Sequence, residues 1–165
     1  MNRTPAFTAV LAACLALAAP AFSQNAGQVQ RAASGASCPG CNLFQANFGN
    51  KELKGRNFAG ARLRQADLSA SIMNRTSFAR TDMRDVNAYG AVLSSVSFAG
   101  ADLTNASFVG AYLQGANFAG ARMAGTNFSG AEMDRAVGLT QGQLNGACGD
   151  ASTRLPRGLS LRPCR

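Results

Sequence analysis

The sequence predicts an all-β fold in which the chain turns repeatedly around a filled apolar interior. Three features that share a period of five residues predict it: a large apolar residue, a small residue two positions before it, and frequent glycine two positions after it. A period of five matches neither the spacing of about 3.6 residues in an amphipathic helix nor the spacing of two in a strand. It matches short straight segments joined by corners, where glycine is favoured because it lacks a Cβ atom.

The repeat extends from Leu43 to Met133. In steps of five, eighteen of its nineteen central residues are large and apolar, and Ala88 is the exception. The residue two positions earlier is Ala, Ser, Thr or Cys in fifteen of the nineteen units, and nine corners have Gly. We expect both positions to point inward, with Val86 and Val96 filling the space beside Ala88. The predicted core includes Phe58, Phe78, Phe98, Phe118, Phe108, Phe128, Leu103 and Leu113.

Units such as residues 101–105 (ADLTN) and 116–120 (ANFAG) resemble those of the pentapeptide repeat family, and the resemblance covers about residues 41 to 135. It implies a right-handed quadrilateral β-helix, a solenoid with about four units per coil and about four to five coils. Phenylalanines in successive coils would then stack in columns, because neighbouring coils lie about 4.8 Å apart. A filled interior leaves no lumen, so any function must lie on an outer face, at an end or in the tail.

The first 23 residues have the pattern of a signal peptide. Arg3 precedes an apolar run over residues 9–19, and small residues at Ala21 and Ser23 predict cleavage after Ser23. We therefore expect an exported protein, in the periplasm or outside the cell, with no integral membrane segment in its mature form. The alternative is a lipoprotein that is lipidated at Cys14.

Residues 24–37 (QNAGQVQRAASGAS) show no apolar periodicity, and they predict a flexible leader. Residues 38–138 form the predicted repeat domain, and residues 139–165 form a predicted helical cap with a disulfide-tethered tail. Lys51 and Arg56 occupy positions where small inward residues belong, so we expect the first coil to be irregular or splayed.

Four cysteines remain after cleavage, and an even number in an exported chain favours disulfides. We expect Cys38 to pair with Cys41 and Cys148 with Cys164. The CxxC spacing of the first pair also occurs in thiol-disulfide oxidoreductases, but no βαβ pattern surrounds it. A structural clasp is therefore favoured, and redox chemistry or metal binding are its alternatives.

The C-terminal segment predicts a short helix that begins after Thr140 and continues through Ala147, because residues 140–143 have the spacing of a capping box. Leu139 and Leu144 would then cover the last coil. The tail (GLTQGQLNGACGD and beyond) is similar to the ending of many exported pentapeptide repeat proteins.

Two outer faces are candidates for interaction. One carries a ladder of mixed charge, the arginine ladder, which favours a solvated face with ion pairs between coils. Its alternative is a face that binds an anionic surface, with Arg62, Arg64, Arg84 and Arg122 as candidate contacts. The other carries an apolar stripe that we call the interaction stripe, made of Ile72, Val92 and Tyr112. An aligned row of exposed apolar residues can mark a contact surface.

The chain has no histidine, which excludes Ser-His-Asp and Cys-His nucleophile arrangements. We predict no catalytic residue, no cofactor and no metal site. The predicted function is that of a non-enzymatic scaffold or interaction protein of the cell envelope, whose partner is another protein or a second copy in a homodimer. One alternative is binding to anionic envelope surfaces through the arginine columns and a basic tail; another is thiol-disulfide exchange at Cys38 and Cys41.

The best-known pentapeptide repeat proteins imitate DNA and inhibit gyrase, a role that rests on an acidic surface and a cytoplasmic location. This chain departs from them on charge, which is +8 for the full chain. Removing Arg3 with the signal peptide leaves 15 basic and 8 acidic residues, or +7. We therefore expect no DNA mimicry. Charge alone would permit direct DNA binding, but the basic regions of the repeats lack base-stacking aromatic residues and the predicted compartment contains no DNA target, so we expect no nucleic-acid partner.

Overall fold

The computed structural model describes residues 24–165. Helix α1 spans Ala26–Ala33 and helix α2 spans Gln141–Leu144. Strands β1 (Cys148–Gly149) and β2 (Arg162–Pro163) pair in parallel. Between the helices the chain forms isolated β-bridges, about one per five-residue unit. The predicted signal peptide and the Cys14 lipidation site lie outside the described residues.

The bridges join residues twenty positions apart, from Asn42 with Arg62 to Asn117 with Val137. Four five-residue units therefore make one coil. Neighbouring coils are hydrogen-bonded on every side; on one side, for example, the Leu43 N–H donates to the Arg62 carbonyl at 2.8 Å. The result is a β-helix type of fold, in which each coil satisfies the backbone groups of the next.

Each corner of the coil has the same backbone conformation. The residue two positions after each central residue, from Gln45 to Gly130, has a φ between 51° and 70°. Nine of these eighteen corners are glycine and nine are other residues. The left-handed region is therefore required by the coil itself, and glycine is only its most frequent occupant.

The interior is filled by stacked side chains. Ring centroids lie 5.6 Å apart for Phe58 and Phe78, 5.8 Å for Phe78 and Phe98, and 5.2 Å for Phe98 and Phe118. On another side of the coil, Phe108 and Phe128 stack at 5.5 Å. Other predicted core residues are also buried: Leu103, Leu113, Val86, Val96 and Ala88.

Helix α1 corrects the prediction of a flexible leader over residues 24–37. Asn25 caps the helix by accepting the Gln28 N–H at 3.0 Å. Ala32 is fully buried, and Val29 and Ala33 pack against the core. Three apolar residues at helical spacing are therefore enough to dock a short polar segment onto the first coil.

The expected irregularity of the first coil is confined to one turn. The Lys51 and Arg56 side chains are exposed, yet this coil keeps the register of the others. At the turn before Arg56, the Thr76 hydroxyl from the next coil donates to the Leu53 carbonyl at 2.9 Å and accepts the Arg56 N–H at 3.4 Å. The first coil is thus not splayed, because a side chain from the second coil completes its backbone hydrogen bonds.

The C-terminal cap contains the capping box that the sequence predicts, with Thr140 and Gln143 as its two members. The helix ends at Leu144 and not at Ala147, but both residues are fully buried. The Gln143 amide also donates to the carbonyls of Phe118 and Ala121, at 2.9 and 3.0 Å. This side chain therefore satisfies backbone acceptors that a further coil would otherwise cover.

After α2 the chain returns to the coil with a changed register. Asn127 bridges Cys148 and Glu132 bridges Arg154, which are 21 and 22 positions away. The tail therefore adds part of a coil, and strand β2 then pairs with β1 on top of it.

Candidate functional site

The interaction stripe is a continuous column on one face. Bridges connect Ile72 to Val92 and Val92 to Tyr112. Ile72 and Val92 are half-buried, and Tyr112 is 41% exposed. Further bridges extend the column to Glu52 at one end and Glu132 at the other. The face is therefore apolar in its middle and acidic at both ends, over four coil steps or roughly 20 Å.

A second, polar column lies beside the stripe on the same face, two residues further along each coil. It begins with Lys54, whose Nζ lies 2.7 Å from the Glu52 carboxylate, and it ends with Asp134. The Gln114 amide donates to Asp134, and this hydrogen bond lowers the pKa of that carboxyl. The polar column thus carries a cation at one end of the face and an anion at the other.

Arg64 and Arg84 of the arginine ladder are paired with carboxylates. Arg84 donates to both oxygens of Asp82 at 2.7 Å, which lowers the pKa of Asp82 and raises that of Arg84. Arg64 lies 3.3 Å from Asp85 in the next coil, and Arg84 lies 3.9 Å from Asp102.

The other two ladder arginines, Arg62 and Arg122, lie in one bridged column, with Asp82 and Asp102 between them. The ion pairs of Arg64 with Asp85 and of Arg84 with Asp102 join neighbouring coils on this face. The basic tail residues are all exposed: Arg154, Arg157, Arg162 and Arg165.

Asp150 organises the C-terminal tail. Its Oδ1 atom accepts hydrogen bonds from the Gly130 N–H at 3.0 Å and from the Ser152 hydroxyl at 2.7 Å. The bonds from Ser152 and Gly130 lower the pKa of Asp150 to about 2. Sequence reasoning missed this residue, although Asp followed by Ser152 and Thr153 is a typical turn pattern.

The two disulfides join the pairs that the sequence proposed. The Cα atoms are 5.5 Å apart in Cys38–Cys41 and 4.9 Å apart in Cys148–Cys164. Cys38 and Cys41 are only 1% and 4% exposed.

The surroundings of the first disulfide were not predicted. The Arg31 Nη2 atom lies 3.3 Å from Cys38 Sγ and 3.4 Å from Cys41 Sγ. Arg31 belongs to the last turn of α1. The sequence signal that could have predicted this helix is the capping residue Asn25 followed by Val29 and Ala32, two apolar residues at helical spacing. A helix there brings a cation to the CxxC motif, which a flexible leader would not do.

Among residues 24–165, no group of three or more His, Cys, Asp or Glu side chains could hold a metal ion. No helix in this part of the chain is long and apolar enough to cross a membrane.

The period of five, the twenty-residue register and the inward phenylalanines define a pentapeptide repeat fold. The sequence matches the Pentapeptide repeats family in eight copies, over residues 36–75, 61–100, 71–108 and 106–137. The chain belongs to this family. A comparison with curated proteins yields no match.

Solved pentapeptide repeat structures resemble the chain at low identity. HetL of the cyanobacterium Nostoc sp. strain PCC 7120, a protein involved in regulation of heterocyst differentiation, is 22% identical over 81% of this chain and 57% of its own, with a TM-score of 0.46. A protein of the Arabidopsis thaliana thylakoid lumen is 29% identical over 65% of this chain and 59% of its own, with a TM-score of 0.31. Rfr23 of Cyanothece 51142 is 24% identical over 78% of this chain and 97% of its own, with a TM-score of 0.37. The chain thus spans less than three fifths of the first two.

Proposed function

We propose that this protein is a non-enzymatic, exported scaffold that associates with a second copy of itself through the interaction stripe. The observation that supports this proposal is the alignment of Ile72, Val92 and Tyr112 by consecutive bridges on one face. We further propose that the coil is right-handed and quadrilateral with about four to five turns, as the family resemblance implies.

The charges on the face favour an antiparallel pair of rods. With a two-fold axis at Val92, Ile72 of one copy faces Tyr112 of the other, and Lys54 faces Asp134. Such an isologous contact uses the same patch on both copies. A parallel arrangement would instead bring Glu132 and Asp134 of the two copies together. In the antiparallel pair Glu52 faces Glu132, but the Glu52 carboxylate is already paired with Lys54.

Light scattering over a concentration series tests the self-association. The interaction stripe is a single column of residues, so we expect it to bury less than the roughly 1,600 Å² of a standard interface and to form a weak dimer as concentration rises. The variant Ile72→Asp, Val92→Asp, Tyr112→Asp should remain monomeric.

The matched control is Ser77→Asp, Ser97→Asp, Asn117→Asp, which places the same charges at equivalent positions on the next face of the same coils. It should dimerise like the native protein. A native protein that stays monomeric at all concentrations, or equal dimerisation of both variants, would show that the stripe is not a self-association surface.

Charge reversal tests the orientation. Lys54→Glu should weaken the dimer because the introduced carboxylate would face Asp134, and adding Asp134→Lys should restore it. Failure of the double variant to recover would exclude the antiparallel arrangement, while the stripe variant still reports on self-association itself.

Export is tested by sequencing the N-terminus of the protein from fractionated cells. We expect the mature chain to begin at Gln24. A chain that retains residues 1–23 in the cytoplasm would contradict export, and a lipidated N-terminal Cys14 would identify a lipoprotein.

A further inference from the structure

The disulfide Cys38–Cys41 differs from Cys148–Cys164 in its polar surroundings. A guanidinium nitrogen of Arg31 contacts both sulfurs of the first pair, at 3.3 and 3.4 Å. The sulfur of Cys164 is instead close to neutral groups, with the Ser129 hydroxyl at 3.4 Å and the Asn127 Oδ1 atom at 3.2 Å. One chain therefore contains a disulfide with a cation beside it and a second disulfide that serves as an internal reference.

We propose that Cys38–Cys41 is a redox-exchangeable disulfide that accepts electrons from a dithiol, and that Arg31 stabilises its reduced form. This activity is independent of the self-association proposed above.

The physical basis is the change of charge at sulfur. A disulfide sulfur is neutral and accepts only a weak hydrogen bond, whereas a thiolate is an anion. A cation beside a cysteine lowers the pKa of its thiol from about 8.5 and favours the thiolate. A charge-assisted hydrogen bond is also roughly twice as strong as a neutral one. The contact with Arg31 therefore strengthens on reduction, which shifts the equilibrium toward the reduced protein.

The exchange proceeds in two steps. A thiolate of the dithiol attacks the sulfur of Cys41, the residue of the pair with the larger exposed fraction. The new bond is a mixed disulfide, and Cys38 leaves as a thiolate beside Arg31. The second thiol of the reductant, after losing its proton, then attacks its own sulfur in the mixed disulfide and releases Cys41, which takes up a proton. Two electrons pass from the dithiol to the protein, the dithiol becomes a disulfide, and one proton is released when Cys38 stays ionised.

Access to the sulfurs is controlled by α1. Both cysteines are nearly fully buried, and α1 is an eight-residue helix at the edge of the fold. The Gln28 side chain also holds this helix to the residue that follows Cys41, because its oxygen accepts the Asn42 N–H at 2.6 Å. Short terminal elements open at low free energy, so opening of α1 is expected to set the rate of exchange while Arg31 sets its equilibrium.

The test is a redox titration of the mature chain against reduced and oxidised dithiothreitol, with each disulfide quantified by alkylation and peptide mass spectrometry. We expect Cys38–Cys41 to be reduced at a higher potential than Cys148–Cys164. Arg31→Met should lower the equilibrium constant for reduction of the first pair by at least tenfold, which corresponds to about 30 mV. It should leave the second pair unchanged, and Arg31→Lys should recover part of the loss.

Two further measurements separate charge from folding. Gln28→Ala loosens the docking of α1 without changing charge, and it should alter the equilibrium constant by less than about threefold. In the reduced native protein, absorbance of the thiolate at about 240 nm should titrate below the ordinary thiol pKa of about 8.5, and in Arg31→Met it should return to that value. Equal effects of Gln28→Ala and Arg31→Met, or a native thiol with an ordinary pKa, would overturn the proposal.

Discussion

Nine corner residues other than glycine adopt a left-handed backbone conformation, with φ between 51° and 60°. For most L-amino acids this conformation costs about 1–2 kcal/mol, although Asn and Asp tolerate it better. Asn50, Asp85 and Asn105 fit that tolerance, whereas Ala70 has no side-chain group to compensate. The corners therefore differ in stored strain although their geometry is the same.

Substitutions at the corners should follow this strain. A Cβ atom at Gly110 meets nothing within 4 Å, so Gly110→Ala should cost about 1 kcal/mol from backbone strain alone. Ala70→Gly should stabilise by up to about 1 kcal/mol. Gly138→Ala should cost more than Gly110→Ala, because its Cβ would lie 2.6 Å from the Ala119 backbone nitrogen. Urea unfolding measures all three, and equal effects at Gly110 and Gly138 would contradict this account.

Phe98 is the most connected ring of the core, with centroids of Phe78, Phe108 and Phe118 within 5.8 Å. Phe98→Ala should lower the free energy of unfolding by about 3–5 kcal/mol, the usual cost of removing a buried aromatic ring. Phe44, which is half-buried at an outward position, is the matched control. Phe44→Ala should cost clearly less, and a similar loss for both would argue against column stacking as a main source of stability.

At the scale of elements, the repeat was predictable and the N-terminal cap was not. The period of five depends on side-chain size at each coil position, so Leu43 to Met133 could be assigned directly. Helix α1 has only Val29, Ala32 and Ala33 as its apolar contacts, and its docking depends on the open end of the first coil. Such a contact is tertiary, and it is the reason that Arg31 was not connected with the CxxC motif.

The C-terminal cap was predicted in part for a similar reason. The Thr140 capping box is a local pattern and could be identified from spacing. The change of bridge register to 21 and 22 positions arises from how α2 and the following residues fit the last coil. The bonds of Asp150 depend on that fit, since one of its donors is the Gly130 N–H of the preceding coil.

Asp150 should make the cap sensitive to acid. Its pKa is lowered in the folded protein from the ordinary aspartate value of 3.8 to about 2, so the folded state favours the ionised carboxylate. The stabilisation is fully present above about pH 4 and is lost as pH falls toward 2. Asp150→Asn should remove it, which makes the native and variant unfolding midpoints converge between pH 4 and pH 2.

Thermal or urea unfolding over this pH range measures the effect. The comparison isolates Asp150 because Asp82 and Asp134, whose pKa values are also lowered, are present in both proteins. A difference between the two proteins that stays constant with pH would contradict the role assigned to the carboxylate.

At the scale of the whole molecule, the twenty-residue register makes each coil a removable unit. Repeat proteins are stabilised mainly by contacts between neighbouring units, so a coil can be lost if its neighbours still match. Deleting residues 86–105 joins the corner at Asp85 to the inward position at Ala106 and leaves every column in phase. The shortened protein should fold with the same type of circular dichroism spectrum and with lower stability.

Deleting five residues, 101–105, is the matched control. It joins the corner at Gly100 to Ala106, so residues after the junction shift by one side of the coil and each side meets its neighbour. The Phe98 column would then be interrupted, because Met123 would take the place of Phe118 beside Phe98. We expect this protein to unfold at lower urea or to aggregate, although it is longer than the twenty-residue deletion. Because a length effect predicts the opposite order, greater stability of the five-residue deletion would show that the four-unit coil is not the cooperative unit of this fold.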